Sequence, residues 1–155
     1  MPERKLDAID RRILRELQHD GSLRNDLLAD RVILSPAPTL RRVRALEESG
    51  VIRCYVALVN PQSVGLDVRV KVDVRFTAQT RVVIEAFAEA VAGMHEVIEC
   101  SIVAGEWDAQ LTVVARDVED YQRFVLNSLS TLPGIAAYRS TLIVREIKRT
   151  TALPV

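Results

Sequence analysis

The spacing of apolar positions changes as the chain proceeds, and the changes divide it. Leu6, Ile9, Ile13 and Leu17 recur three and four residues apart, with Asp7, Asp10, Arg11, Arg12 and Arg15 between them. That period predicts an amphipathic helix from Leu6 to His19, stopped by Asp20-Gly21. A shorter helical pattern from Asn25 to Arg31 turns Leu27 and Leu28 inward, and Val32-Ile33-Leu34 leads into a third helix that ends at Glu48, before Ser49-Gly50. Ser35 is placed at its N-cap, where a hydroxyl can accept an orphan backbone N–H; Pro36 falls at the first helical position, where a missing N–H costs nothing. Gly50 suits the left-handed position just past the end. Three helices with a tight connection between the last two form a helix-turn-helix.

After Gly50 the texture is that of strands. Val51 to Val59 is β-prone and closes at Asn60-Pro61, as a strand linking the helical head to a second body. From Val68 to Phe76 apolar Val68, Val70, Val72, Val74 and Phe76 alternate with Arg69, Lys71, Asp73 and Arg75. Helical period returns from Arg81 to Ala92, with Val82, Val83, Ala86, Phe87, Ala90 and Val91 as its stripe. Strands are expected at Val97–Ala104 and Ala109–Ala115, a helix from the Asp117 cap through Leu132, and a last strand from Ala137 to Lys148. Strand, helix, strand, strand, helix, strand is the ferredoxin-like βαββαβ order, so the fold class is α+β. Such a sheet carries helices on one face only, and the other face calls for a cover. The economical cover is the same sheet of a second subunit, packed with two-fold symmetry.

Composition narrows the function classes. Hydrophobic residues make up 48%, ample for real cores, and 21 basic residues balance 21 acidic ones. Residues 1–53 hold 11 basic and 9 acidic side chains and the remainder 10 and 12, a mild asymmetry that favours an anionic partner for the head. The charged N-terminus MPERKLDAIDRR lacks the apolar run of a signal peptide, and no run approaches a membrane span, so a cytoplasmic protein is expected. Cys54 and Cys100 read as free thiols, the latter buried in a strand. His19 and His95 have no partner at triad or metal-ligand spacing, which argues against a catalytic or metal site.

The third helix carries the candidate chemistry. From Ser35 to Ala45 it has three arginines and no acid. With about 100° per residue, Leu40, Val43 and Leu46 form an apolar flank, and the opposite side centres on Pro38, Arg41 and Ala45 with Arg42 and Arg44 at its edges. On periodicity alone, a three-helix bundle with a basic solvated face accounts for the pattern equally well. The small Ala37, Pro38 and Ala45 tip the balance, because they let the helix approach a groove ~12 Å wide. On this reading Arg41 reads bases, Arg42 and Arg44 hold phosphates, and Ser35, Ala37, Pro38 and Thr39 set the approach to double-stranded DNA.

The run Leu34-Ser35-Pro36 with Pro38, Leu40-Arg41-Arg42-Val43, Leu46-Glu47 and Gly50-Val51-Ile52 resembles the Lrp/AsnC family of bacterial and archaeal transcription regulators, the feast/famine regulatory proteins. Leu6-Asp7 to Ile13-Leu14, Asp20-Gly21, Asn60-Pro61, Gly105 with Asp108, and Leu132-Pro133-Gly134 extend the likeness over nearly the whole chain. The resemblance implies a winged helix-turn-helix at residues 1–52, a hinge strand and linker at 53–65, and a ferredoxin-like ligand-sensing and oligomerisation domain at 66–155. It implies no cofactor, a homodimer assembling to an octamer, and an amino-acid effector bound at a subunit interface near the loop Gly105, Glu106, Trp107, Asp108. There Asp108 would offer its carboxylate to an α-ammonium, backbone N–H groups around Gly105 would meet a carboxylate, and Ser140 and Thr141 are candidate polar contacts from the last strand. Trp107, Val103 and Ala104 would form an apolar pocket suited to leucine or methionine. The sequence departs from relatives at Ile33, where many have Gly; at Arg24, where a small N-cap residue is frequent; and at Trp107, where Phe or Tyr is common. Two rivals share the architecture: a ligand-independent architectural DNA-binding protein, and a relative of the haem-biosynthetic decarboxylases, which need no groove-facing arginines.

Overall fold

The computed structural model describes residues 5–155; the first four residues of the charged N-terminus lie outside them. Two compact units are present. The first runs to Leu58 and takes back Lys148–Val155; the second is Val59–Ile147. By its contacts the C-terminal segment Lys148–Val155 packs with the first unit.

In the first unit α1 (Ala8–His19), α2 (Asn25–Val32) and α3 (Pro36–Glu48) surround Ile13, Leu14, Leu28, Val32 and Leu46. α1 starts two residues later than its period suggests, because Asp7 caps it: the Asp10 N–H donates to Asp7 Oδ1 at 2.7 Å, and the Asp7 N–H reaches back to Asp10 Oδ2. This reciprocal pair is a capping box built from two aspartates. α2 begins at Asn25 although Arg24 supplies no side-chain cap. Leu28 faces inward as expected, whereas Leu27 is exposed.

α2 ends in a Schellman turn: the Leu34 N–H donates to the Ala29 carbonyl at 3.0 Å and the Ile33 N–H to that of Asp30 at 3.2 Å. The turn places Ile33 in the left-handed region at φ 59°, a conformation glycine adopts freely and a β-branched residue resists. The departure noted at Ile33 is therefore a strained residue in an ordinary turn. Asn25 Nδ2 donates to the Pro36 carbonyl and fixes the start of α3 against α2.

The segment Val51–Val59 is no strand. It runs exposed, and among the described residues no strand pairs with it. A β-prone sequence still needs a neighbour for its N–H and C=O groups, and a single chain provides none here. Tyr55 anchors it to the head, its hydroxyl donating to Glu47 Oε1 at 2.9 Å; burial and that carboxylate push the phenol up to about 12. The tail is held on α1, where the Gln18 side-chain amide bonds both the N–H and the carbonyl of Leu153.

The second unit contains β1 (Val68–Phe76), α4 (Arg81–Ala92), β2 (Val97–Ile102), β3 (Ala109–Ala115), α5 (Val118–Asn127) and β4 (Ile135–Leu142). The antiparallel sheet has the order β2-β3-β1-β4, the ferredoxin-like topology. Val70, Val72, Val74, Phe76, Leu111 and Val113 pack with Phe87, Val91 and Phe124 in its core. In α4 the stripe is rotated slightly from expectation: Val82 is exposed and Ile84 packs. The helix after Asp117 is shorter than its apolar run, giving way to a 3-10 turn at Leu129–Thr131, and β4 stops at Leu142 rather than Lys148. Cys100 lies in β2 as expected but is exposed rather than buried, since β2 is an edge strand.

Candidate nucleic-acid interface and effector region

The start of α3 departs from its expected capping. Ser35 occupies the N-cap with extended backbone, yet its hydroxyl makes no capping bond. An N-cap oxygen normally accepts the N–H of the second or third helical residue. Here the third is Pro38, which has none. The Ser35 carbonyl instead accepts both the N–H and the hydroxyl of Thr39, at 3.3 and 3.0 Å.

Thr39 is fully buried, so its expected part in the approach to DNA is replaced by a structural one. Arg42 is corrected in the same way. Its Nη1 donates to Asp7 at 2.7 Å and Asp10 at 2.8 Å, joining α3 to the capping box of α1. The Asp10 side chain is 3% exposed and that of Arg42 28%, so the guanidinium compensates a buried carboxylate rather than waiting for a phosphate. The Asp10 N–H first, and Arg42 second, hold the Asp7 carboxyl below its ordinary value.

With Thr39, Arg42, Val43 and Leu46 turned inward, the front of α3 is rotated by about 80° from the sequence expectation. The exposed face is Ala37, Leu40, Arg41 and Arg44; Pro38 and Ala45 are half-buried and Ser35 is exposed at the helix start. Among the described residues neither Arg41 nor Arg44 has an ion-pair partner, in contrast to Arg24, Arg31 and Arg42. A small residue, an aliphatic one and two uncompensated guanidinium groups therefore share one exposed helical face. Leu40 was missed there because an apolar residue in a 3.6 period reads as core.

In the second unit, the loop 105–108 lays Trp107 against the sheet face that carries no helices. The Arg75 and Arg139 guanidinium carbons each lie 4.9 Å from the ring centroid, and the indole N–H is buried with no hydrogen-bond partner among the described residues. This replaces the expected apolar pocket: Trp107 is flanked by cations, and Val103 and Ala104 are exposed. Asp108 is buried and occupied. Its carboxylate accepts the Phe76 N–H at 2.7 Å and the Gln79 amide at 2.5 Å, closing the irregularity where the β1–β4 register shifts. Both carboxylate oxygens are thus engaged in holding the loop to the end of β1. Gly105 is exposed, and a Cβ there would meet nothing within 4 Å. Glu106 is exposed, with its carbonyl and carboxylate near Arg75.

Ser140 and Thr141 do not converge. Strand period places them on opposite faces: Ser140 bonds the Tyr121 hydroxyl on the helix side, and Thr141 stands beside Lys71 on the open side. The open face is a polar network in which Asp73 accepts from Gln110 and Arg139 while Thr112 links Lys71 to Glu99. Gln110 first, then Arg139, hold the Asp73 carboxyl below its ordinary value. Arg75, Arg139 and Asp73 were missed as site residues because charged positions on a half-buried strand read as solvated. The register against Trp107 is a tertiary fact.

Comparison with known proteins fits this two-part geometry. Residues 6–53 match the winged helix-turn-helix DNA-binding family and residues 69–153 the Lrp/AsnC ligand binding domain. The leucine-responsive regulatory protein of Escherichia coli K12 is 38% identical over 152 residues, covering 98% of this chain and 93% of that protein. A transcriptional regulator from Neisseria meningitidis, solved in complex with L-Met, is 38% identical with a TM-score of 0.93, covering 97% of each chain. An AsnC family regulator from Agrobacterium tumefaciens is 37% identical with a TM-score of 0.91, covering 96% of this chain and 97% of that one. The chain therefore belongs to the Lrp/AsnC family of transcriptional regulators, with a helix-turn-helix DNA-binding domain followed by a ligand-binding domain.

Proposed function

We propose that the protein binds operator DNA through the Ala37, Leu40, Arg41 and Arg44 face of α3, as a homodimer or a higher assembly of dimers, and that a small amino acid such as leucine or methionine tunes this binding. The observation that carries the reading is the pair of uncompensated arginines on a groove-sized helix front. A major groove accepts such a helix, and two-fold assembly would set two of them roughly 34 Å apart on a palindromic site. The effector reading draws support from the ligand-binding domain match and from the L-Met complex of the Neisseria regulator. Arg75, whose half-exposed guanidinium lies over the Trp107 ring, is the group best suited to meet an effector carboxylate.

The test is fluorescence anisotropy with a duplex selected from random DNA by the full chain, titrated with each of the twenty amino acids, alongside sedimentation. A change in operator affinity or assembly with at least one apolar amino acid is expected. Tight binding indifferent to all twenty would leave a ligand-independent architectural role, and no selected duplex would remove the DNA reading.

A further inference from the structure

Leu40 is the apolar member of the exposed α3 face. It is 38% exposed and lies outside the cluster of Ile13, Leu14, Leu28, Val32 and Leu46. Its direction is fixed by its neighbours. Thr39 is buried and bonded to the Ser35 carbonyl, Arg42 is clamped on Asp7 and Asp10, and Leu46 is fully buried. With these three turned inward, successive steps of about 100° leave Leu40 roughly 60° from Ala37 and 40° from Arg44. A leucine beside two free guanidinium groups has a definite counterpart in a major groove. The thymine C5-methyl is the one apolar group that base pairs present there, and guanine N7 and O6 lie within reach of an adjacent arginine.

We propose that Leu40 is a specificity-determining residue that reads a thymine through its methyl group, next to the guanine contact available to Arg41. This rests on the DNA-binding reading above and deepens it. Ala37, one turn earlier on the same face, lets the backbone come close enough for a side chain of leucine's length to reach a base edge.

The experiment is a deoxyuridine scan. In a duplex selected by the full chain, each thymine is replaced in turn by deoxyuridine, which removes only the methyl, and affinity is measured for the wild type and for Leu40→Ala. The wild type should lose about three- to five-fold at one position per half-site, the worth of one buried methyl. Leu40→Ala should bind the unmodified duplex more weakly by a similar or larger factor and be indifferent to deoxyuridine at that same position. Equal affinity of the wild type for every substituted duplex overturns the proposal while leaving DNA binding intact. So does a Leu40→Ala protein that keeps the full deoxyuridine penalty, since another residue would then read the methyl. The wild-type scan needs no variant to fold, and failure to select any duplex would instead count against the DNA-binding reading itself.

Discussion

Replacing Arg42 by alanine should unfold the head more easily while leaving its electrostatic contact with DNA unchanged. The guanidinium lies 2.7 Å from Asp7 and 2.8 Å from Asp10, whose side chain is 3% exposed. Removing it takes a charged donor away from a buried carboxylate, which keeps the Asp7 N–H. A charge-assisted hydrogen bond is worth about 1.5–3 kcal/mol, and breaking a fully buried pair costs about 3–5 kcal/mol. Arg42 is itself 28% exposed, so water can partly replace it and the lower range applies. The arm to Asp7 is exposed and adds little. A loss of about 2–3 kcal/mol follows, enough to lower the urea midpoint of a small unit by roughly 1–2 M. Urea denaturation of the full chain, followed by circular dichroism, should record it. In a double-mutant cycle Asp10→Asn should cancel much of the penalty. The logarithmic salt slope of DNA binding should stay at the wild-type value, because no phosphate contact has been lost. An Arg42→Ala protein of unchanged stability, with a slope shallower by about one, would refute the clamp and restore Arg42 as a phosphate contact.

Other perturbations test the remaining elements. Ile33→Gly should raise the melting temperature of the head by a few degrees, since relief of about 1–2 kcal/mol of left-handed strain exceeds the ~0.5–1 kcal/mol entropic cost of glycine; a lower melting temperature would contradict it. Gly134→Ala should destabilise the second unit by about 2–3 kcal/mol, because the residue has φ 75° and its Cβ would run into the Val83 side chain. Calorimetry would measure this. Acid should weaken both units. Hydrogen bonds from Asp10 and then Arg42 depress Asp7, those from Gln110 and then Arg139 depress Asp73, and those from Thr112 and then Lys71 depress Glu99. Groups lowered on folding contribute stability above their unfolded values near 4, and that stability is lost as pH falls through the lower folded values. Melting temperatures should therefore be flat from about pH 7 to 5 and fall below about 4; no fall between pH 4 and 2 would contradict the assignment.

Legibility in the sequence followed the physics of each element. β1, β3 and α4 were found to the residue because alternation or helical period ran unbroken to a turn or cap. The strand expected at 51–59 failed for the opposite reason: its composition is β-prone, but pairing depends on a second strand that composition cannot supply. The α3 face was placed about one residue step off because Thr39 and Arg42 look polar and are buried, whereas Leu40 looks apolar and is exposed. Asp7 and Asp10, three residues apart before an apolar run, carry the signal of a capping box, and reading it would have placed the start of α1 correctly. That Arg42 reaches them, and that Trp107 meets Arg75 and Arg139, depend on contacts between residues 32 or more apart in sequence. No local pattern encodes such pairs.

On the proposed reading Arg41 and Arg44, not Arg42, face the nucleic acid. It is tested most directly by the salt dependence of affinity for one selected duplex across the three single alanine variants. Arg44→Ala should reduce the slope by about 0.9 per half-site and weaken all sequences alike, while Arg41→Ala should lose about 1–3 kcal/mol and relax the preference at one guanine. Arg42→Ala should leave slope and preference unchanged. Slopes and preferences identical to wild type for Arg41→Ala and Arg44→Ala would contradict the account.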